Sequence, residues 1–241
     1  MWQALVLSGD IKNPDRIRAL LSRAELVWAS DGGLDHLLGL GVSADYYLGD
    51  GDSLSDKGKD YLRKSSLTRE VFPIFKDETD SALTLHRMLQ EEQKQAGKDA
   101  HNPGVGSLDG DSGLMFLAAL GTRVDHVLAN LDLATRYVRS DFPILLTDGE
   151  TFVWILKGPF DSDIAIPFDL ADEEEGPRNY YTLLAQSDEL TGLNFTGVLW
   201  PLHQRKLFRG INLGVSNRRL PGQVPHLSFE SGILRLIISR E

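Results

Sequence analysis

The stretch Glu25–Ser53, ELVWASDGGLDHLLGLGVSADYYLGDGDS, decides the fold. Glu25–Ala29 reads as a strand running into the turn Asp31-Gly32-Gly33. Gly33–Leu40 is a short helix, Tyr46–Gly49 a further strand, and Gly49-Asp50-Gly51-Asp52-Ser53 the turn beyond it. Strand, acidic turn, helix, strand, acidic turn is the pattern of a parallel sheet wrapped by helices. In such a sheet the turns that follow successive strands gather at one edge.

The alternation extends outward in both directions. Trp2–Leu7 is an apolar strand ending in Ser8-Gly9-Asp10, and Pro14–Arg23 a helix with Asn13 as its N-cap and Pro14 in its first position. Ser55–Lys64 is helical and Glu70–Phe72 a short strand. A third acidic turn, Asp77-Glu78-Thr79-Asp80, opens a helix over Thr79–Gln95. Leu114–Leu120 is a buried strand, a helix runs from about Arg123 to Arg139, and Ile144–Thr147 closes the pattern. Beyond it the helical periodicity stops. Strand-like pieces recur at Phe152–Leu156, Ile164–Ile166, Tyr180–Leu184, Gly197–Trp200, Ile211–Val215 and Ile233–Ser239, separated by Gly, Pro and Asn turns. The expected fold class is therefore α/β. An N-terminal open, mostly parallel sheet with flanking helices spans residues 1–146, and a smaller C-terminal all-β sandwich domain spans residues 147–241. Gly97–Gly113 has no periodicity and reads as an exposed flexible loop in preference to a lid; Asp169–Glu175 reads as a solvated acidic turn.

Composition narrows the function. At 241 residues, 41% hydrophobic and 25% charged, the chain is an ordinary globular protein. Its formal net charge of −10 disfavours nucleic acid as a partner. Cysteine is absent, which removes disulfides, thiolate catalysis and Cys-based zinc sites together. No apolar run reaches the length of a membrane span, and Met1–Leu7 lacks the basic start of a signal peptide, so the cytoplasm is the expected compartment.

The acidic turns carry the chemistry. Carboxylates crowded at one sheet edge repel one another unless a hard cation joins them, and Mg²⁺ takes one or two carboxylates with water and phosphate oxygens. Gly49 and Gly51 allow a bend that aims Asp50 and Asp52 the same way, while Ser53 can cap the next helix or donate to a phosphate. Asp-Gly pairs also build plain turns, and Asp77 and Thr79 also suit a helix start; three such turns in succession favour a site. Lys76 beside the third turn can hold a carboxylate or a phosphate, or stand in solvent. In Arg123-Val124-Asp125-His126-Val127-Leu128-Ala129-Asn130, Arg123, His126 and Asn130 share one helix face, as a nucleotide site would need or as a polar stripe packed on loops would. No GxxxxGK[ST], HExxH or nucleophile elbow occurs. In the C-terminal half Trp200 can stack on a cationic heterocycle or fill a core, and Ser216-Asn217 can hydrogen-bond a ligand or build a turn.

Taken in order, these motifs resemble the thiamine pyrophosphokinase family over nearly the whole chain. They are Asp-Gly-Gly, Gly-Asp-x-Asp-Ser, Lys-Asp-x-Thr-Asp, Arg-x-Asp-His-x-x-x-Asn, Gly-x-x-Trp-x-Leu and Ser-Asn. The resemblance implies a Mg²⁺-dependent transfer of diphosphate from ATP to the hydroxyethyl group of thiamine, releasing AMP. It also implies a homodimer with a site shared across the interface. By the same resemblance Asp50, Asp52 and Asp80 hold the Mg²⁺–ATP centre with Asp31 beside them. Lys76, Asp77 and Thr79 line the phosphate path, Arg123, His126 and Asn130 border the nucleotide, and Trp200, Ser216 and Asn217 face thiamine. Gly51 stands where a bulkier residue is usual, and Arg218-Arg219 where an acidic one often is. The competing expectations are a pyrophosphokinase for another heterocyclic alcohol such as a hydroxymethylpterin, a non-catalytic nucleotide-binding regulator, and a metal-dependent phosphatase.

Overall fold

A computed structural model describes residues 1–70, 80–96, 105–108, 110, 112–164 and 179–240. The chain divides into two compact units. The first comprises Met1–Asn102, Leu114–Leu133 and Leu146–Gly149, and the second Pro103–Gly113, Ala134–Leu145 and Glu150–Glu241. Among the described residues no helix is long and apolar enough to cross a membrane.

The first part of the chain alternates as expected: β1 (Trp2–Val6), α1 (Pro14–Leu21), β2 (Leu26–Ser30), α2 (Gly33–Leu40), β3 (Tyr46–Leu48), α3 (Asp56–Lys64), β4 (Thr68–Glu70), α4 (Asp80–Ala96), β5 (Gly113–Leu117), α5 (Val124–Tyr137) and β6 (Ile144–Thr147). The strands lie in the order β6-β5-β1-β2-β3-β4, with β1–β2, β2–β3 and β3–β4 all parallel. Continuous burial marks them as inner strands: β1, β2, β5 and β6 are apolar on both faces, as helix-covered parallel strands must be. Trp28 is fully buried, stacks on Tyr46 of the adjoining strand with centroids 3.9 Å apart, and donates from its indole nitrogen to Gln3. Asn13 caps α1 through its side chain, with Pro14 at the first turn. α3 is capped by Ser55, whose hydroxyl accepts from Gly58 N–H; of the two roles open to Ser53, the cap is thereby excluded, because the helix begins at Asp56.

The second unit holds the antiparallel strands β7 (Phe152–Lys157), β8 (Phe160–Asp163), β9 (Asn179–Ala185), β10 (Glu189–Thr196), β11 (Leu202–Phe208), β12 (Gly214–Asn217), β13 (His226–Phe229) and β14 (Ile233–Arg240). One layer runs β12-β9-β14-β7 and the other β11-β10-β13-β8, giving a sandwich whose inner faces meet through pairs such as Tyr181 and Phe195. β9 and β14 alternate buried and half-exposed residues along their length, the mark of one face inward.

Several boundaries differ from expectation. Gly197–Trp200 is not a strand but the bend between β10 and β11; its apolar run misleads because Leu199 and Trp200 point to solvent. Of the expected strand Ile164–Ile166 only Ile164 is among the described residues, just past the end of β8, and of Glu70–Phe72 only Glu70 is, as the last residue of β4 (Thr68–Glu70). The described part of Gly97–Gly113 is no free loop. Gly106 is buried, bridges Phe160, and sits so close to Ser140 that a Cβ there would lie 2.0 Å from its carbonyl oxygen. Asp169–Glu175 lies outside the described residues.

Candidate active site

The order of the first sheet reverses at β1: β2, β3 and β4 follow on one side, β5 and β6 on the other. Where neighbouring strands send their connections in opposite directions, a crevice opens at their ends. A cleft of about 490 Å³ lies there, walled by Ser8-Gly9-Asp10 after β1, Asp31 after β2, and Gly121-Thr122-Arg123 ahead of α5.

Close backbone contacts shape its floor. Gly9 N–H donates to Ala118 O and Asp10 N–H to Leu120 O, each at 2.9 Å. A Cβ on Gly9 would stand 2.4 Å from that Ala118 oxygen, so the two loops can run together only with glycine here. From α2, the His36 Nε2–H donates to the Gly9 carbonyl at 2.8 Å.

The helix α5 supplies the opposite wall. Arg123, just ahead of its first residue, forks Nε and Nη2 onto the two carboxylate oxygens of Asp125, at 2.9 and 2.6 Å. Those bonds hold the Asp125 carboxyl well below the usual carboxylate range and raise the Arg123 guanidinium, so the pair is fully ionised. His126 and Asn130 follow on the same face and both line the cleft. Asn130 is buried and fixed, its amide donating to Ala119 O at 3.2 Å.

The acidic turns after β2 and β3 lie at this cleft. Asp31 has a positive φ of 46° and donates its backbone N–H to Leu48 O at 3.1 Å. A Cβ on Gly49 would come within 2.0 Å of the Asp31 Oδ1, so the turns after β2 and β3 interlock through that glycine. Asp50 Oδ1 accepts the Asp52 N–H at 2.9 Å, and the Asp35 carboxylate is taken up by the N–H and hydroxyl of Ser55, both at 2.6 Å. Beneath the loop the Tyr47 phenol is pushed far above its ordinary range, by burial first and then by the charges of Asp31, Asp50, Asp35 and Asp52. Asp31 lines the cleft itself, whereas Asp50 and Asp52 stand next to it on the β3 turn.

The donor set fits a hard cation. It offers carboxylate oxygens and no thiolate. Among the described residues no three His, Cys, Asp or Glu side chains converge to hold an ion by themselves. That suits Mg²⁺, which needs only one or two carboxylates when phosphate oxygens and water complete its shell. Asp80 is the first residue of α4; its side chain, together with Lys76, Asp77 and Thr79, lies outside the described residues.

On the second unit, Trp200, Ser216 and Asn217 come together. The buried Asn217 accepts the Trp200 N–H at 3.0 Å and donates to the Trp200 carbonyl at 2.7 Å, clasping that residue's backbone. The indole stands 58% exposed, so Trp200 is not a core residue. Ser216 is held at a φ of 59° with its N–H donating to the Thr182 hydroxyl. Arg218 lies over the Tyr180 ring and donates to its hydroxyl at 2.8 Å.

The sequence reading passed over four participants. Ser8-Gly9-Asp10 carried the same strand-end signature as the other acidic turns and could have been found by it. Ser81, in the first turn of α4, also lines the cleft. His36 and Tyr47 left no signal, since one reads as an ordinary helix residue and the other as core strand.

Comparison with known proteins agrees with this geometry. Residues 17–146 match the family model described as thiamin pyrophosphokinase, catalytic domain. A thiamine pyrophosphokinase of Bacillus subtilis (strain 168) is 25% identical over 211 residues, covering 88% of this chain and 86% of the relative. The crystal structure of a thiamine pyrophosphokinase from Bacillus subtilis superposes with a TM-score of 0.74 at 23% identity, with both chains fully covered. Thiamin pyrophosphokinase from Candida albicans does so with a TM-score of 0.75 at 18% identity, covering 99% of this chain and 90% of that one. The matched segment takes in the β2 and β3 turns and the α5 motif that build the cleft, and it exceeds half of the chain; the chain belongs to the thiamin pyrophosphokinase family of diphosphate-transferring enzymes.

Proposed function

We propose that the chain transfers diphosphate from ATP to the hydroxyethyl group of thiamine, giving thiamine diphosphate and AMP, with Mg²⁺ as the required ion. The observation that carries this reading is the cleft at the β1/β5 switch point, which sets Arg123, His126 and Asn130 opposite Asp31 and beside the Asp50–Asp52 turn.

In this reading the thiamine hydroxyl oxygen bonds to the β-phosphorus while the bond from that phosphorus to the bridging oxygen breaks in line, that oxygen leaving with AMP and its bond electrons, and the hydroxyl proton passes to water. Asp50, Asp52 and Asp80 hold the ion, with Asp31 beside them; when bound, Mg²⁺ neutralises the charge that develops on the transferring group. Arg123 meets the nucleotide phosphates, and the α5 N-terminus favours the same anion. His126 and Asn130 border the nucleotide, and Lys76, Asp77 and Thr79 line the phosphate path. Trp200 stacks on the cationic ring of thiamine, with Ser216 and Asn217 beside it. Positioning supplies most of the acceleration.

We further assign a homodimer whose interface brings in Trp200, Ser216 and Asn217, with the site shared between protomers, and place the enzyme in the cytoplasm with its ATP. Exposed Leu199, Trp200 and Val215 on the second unit support the dimer, since apolar side chains grouped at a surface mark a contact face.

The test incubates protein, Mg²⁺ and ATP with thiamine, with hydroxymethylpterin, or with no acceptor, and identifies products by mass. Thiamine diphosphate with AMP supports the reading. AMP formed only with the pterin, or phosphate released without acceptor, defeats it. The Asp52→Asn variant is expected to fold and lose turnover; AMP formation near the wild-type rate at saturating Mg²⁺ would remove Asp52 from the centre.

A further inference from the structure

Tyr47 sits in the middle of β3, flanked on both sides by parallel neighbours, and is wholly buried. Its ring needs no hydroxyl there; a Phe or Leu would fill the strand equally well. Yet the phenolic oxygen is buried and makes no hydrogen bond among the described residues. Buried polar atoms without a partner are rare and disfavour the folded state, so a retained one calls for a reason.

Its position supplies the reason. The oxygen lies 3.7 Å from where a Cβ on Gly51 would stand, directly under the turn that carries Asp50 and Asp52. A Cβ on Gly51 would stand in ordinary van der Waals contact with the hydroxyl, so the turn packs directly against it. Burial first, and then the negative charges of Asp31, Asp50, Asp35 and Asp52, keep the phenol protonated. A hydroxyl can donate to a carboxylate from below without adding charge.

We propose that Tyr47 is a positioning residue for the cation centre. When the acidic turn closes on Mg²⁺ and a nucleotide, the hydroxyl donates to the carboxylate of Asp31 or Asp50 and fixes its orientation. Carboxylates that hold a metal are held in turn by such outer hydrogen bonds, and removal of one characteristically weakens metal binding. The inference rests on the reading that this turn takes up the cation.

The test compares wild type with Tyr47→Phe, without turnover. Thermal unfolding is measured on the ligand-free proteins, and Mg²⁺-dependent binding of α,β-methylene-ATP by calorimetry. The expected result is a Tyr47→Phe melting temperature equal to or above wild type, with Mg²⁺-dependent affinity weakened about three- to tenfold. Affinity within twofold of wild type overturns the proposal, because the hydroxyl is then only a tolerated burial. A lower ligand-free melting temperature also overturns it, since the hydroxyl would already be bonded without the ion. Wild-type nucleotide binding that ignores Mg²⁺ defeats the cation reading itself, and this inference with it.

Discussion

His36 Nε2 lies 2.8 Å from the carbonyl oxygen of Gly9, tying helix α2 to the loop that floors the cleft. The bond fixes the ring's tautomer, because only a protonated nitrogen can meet a carbonyl. It also pulls Gly9 from the side opposite Ala118, so the loop is held on two flanks. His36→Ala is expected to raise the KM for ATP about three- to tenfold and to change kcat less, since the loop shapes the binding cleft. His36→Gln, whose amide N–H can reach the same carbonyl, should recover part of the loss. Equal KM values in all three proteins would show that the loop holds itself.

Two glycines of α2 should answer oppositely to the same substitution. Gly33 opens the helix, and a Cβ there would lie 2.0 Å from the Val6 carbonyl oxygen. Backbone cannot yield as a side-chain tip can, so Gly33→Ala is expected to destabilise by about 3 kcal/mol or more. Gly39 is in the same helix with nothing within 4 Å of its Cβ position. Gly39→Ala should stabilise by about 0.5–1 kcal/mol through helix propensity and a less free unfolded chain. Urea unfolding of the two variants measures both signs at once.

The contrast between the two units explains what could be read from the sequence. In the first, β1, β2 and β3 end in polar turns and α1 and α3 carry side-chain caps, at Asn13 and Ser55, so local chemistry marks those boundaries. The acidic turns and the Arg123–Asn130 face were legible for the same reason. The sandwich strands carry weaker marks. β11 buries only Leu202 and Leu207 among seven residues, and the β10–β11 register shifts twice, so no clean alternation survives in LHQRKLF. GVLW looks like a strand because apolar, yet it bends and exposes Trp200. Contacts made across the fold, such as His36 to Gly9 or Tyr47 beneath Gly51, have no sequence spacing to betray them.

Asn217 is expected to matter through Trp200. Its side chain accepts from Trp200 N–H and Arg218 N–H and donates to Trp200 O, three bonds from one buried amide. Asn217→Ala should destabilise by about 2–3 kcal/mol, by leaving backbone groups unpaired, and should raise the KM for thiamine more than that for ATP. Asn217→Asp offers no test of charge alone, because its second oxygen would face the Trp200 carbonyl. It should therefore also weaken stability, against the usual tolerance for that exchange. An Asp variant as stable as wild type would show that the clasp needs only its acceptor side.

The alkaline limb of stability should report on Tyr181. This side chain is wholly buried between the sandwich layers, its hydroxyl has no hydrogen-bond partner among the described residues, and burial pushes its pKa from 10.0 up to about 12, against a smaller opposing pull from Arg219. The folded protein thus keeps the phenol protonated where the unfolded chain has lost the proton. A group whose folded pKa is raised gives its full stabilisation below the unfolded value and loses it as pH climbs through the folded one. Wild-type stability should therefore fall between about pH 10 and pH 12 by a share of order 2 kcal/mol from this residue. Tyr47, also raised by burial, adds a loss of the same sign. Tyr181→Phe removes the first share: its denaturation midpoint should match or exceed wild type at pH 7, where an unpaired hydroxyl is lost, and should decline less steeply above pH 10. Ionisation elsewhere in the chain is common to both proteins, so the quantity to measure is the difference between the two curves. Parallel curves from pH 9 to pH 11.5 would show that Tyr181 ionises in the folded protein as readily as in the unfolded chain.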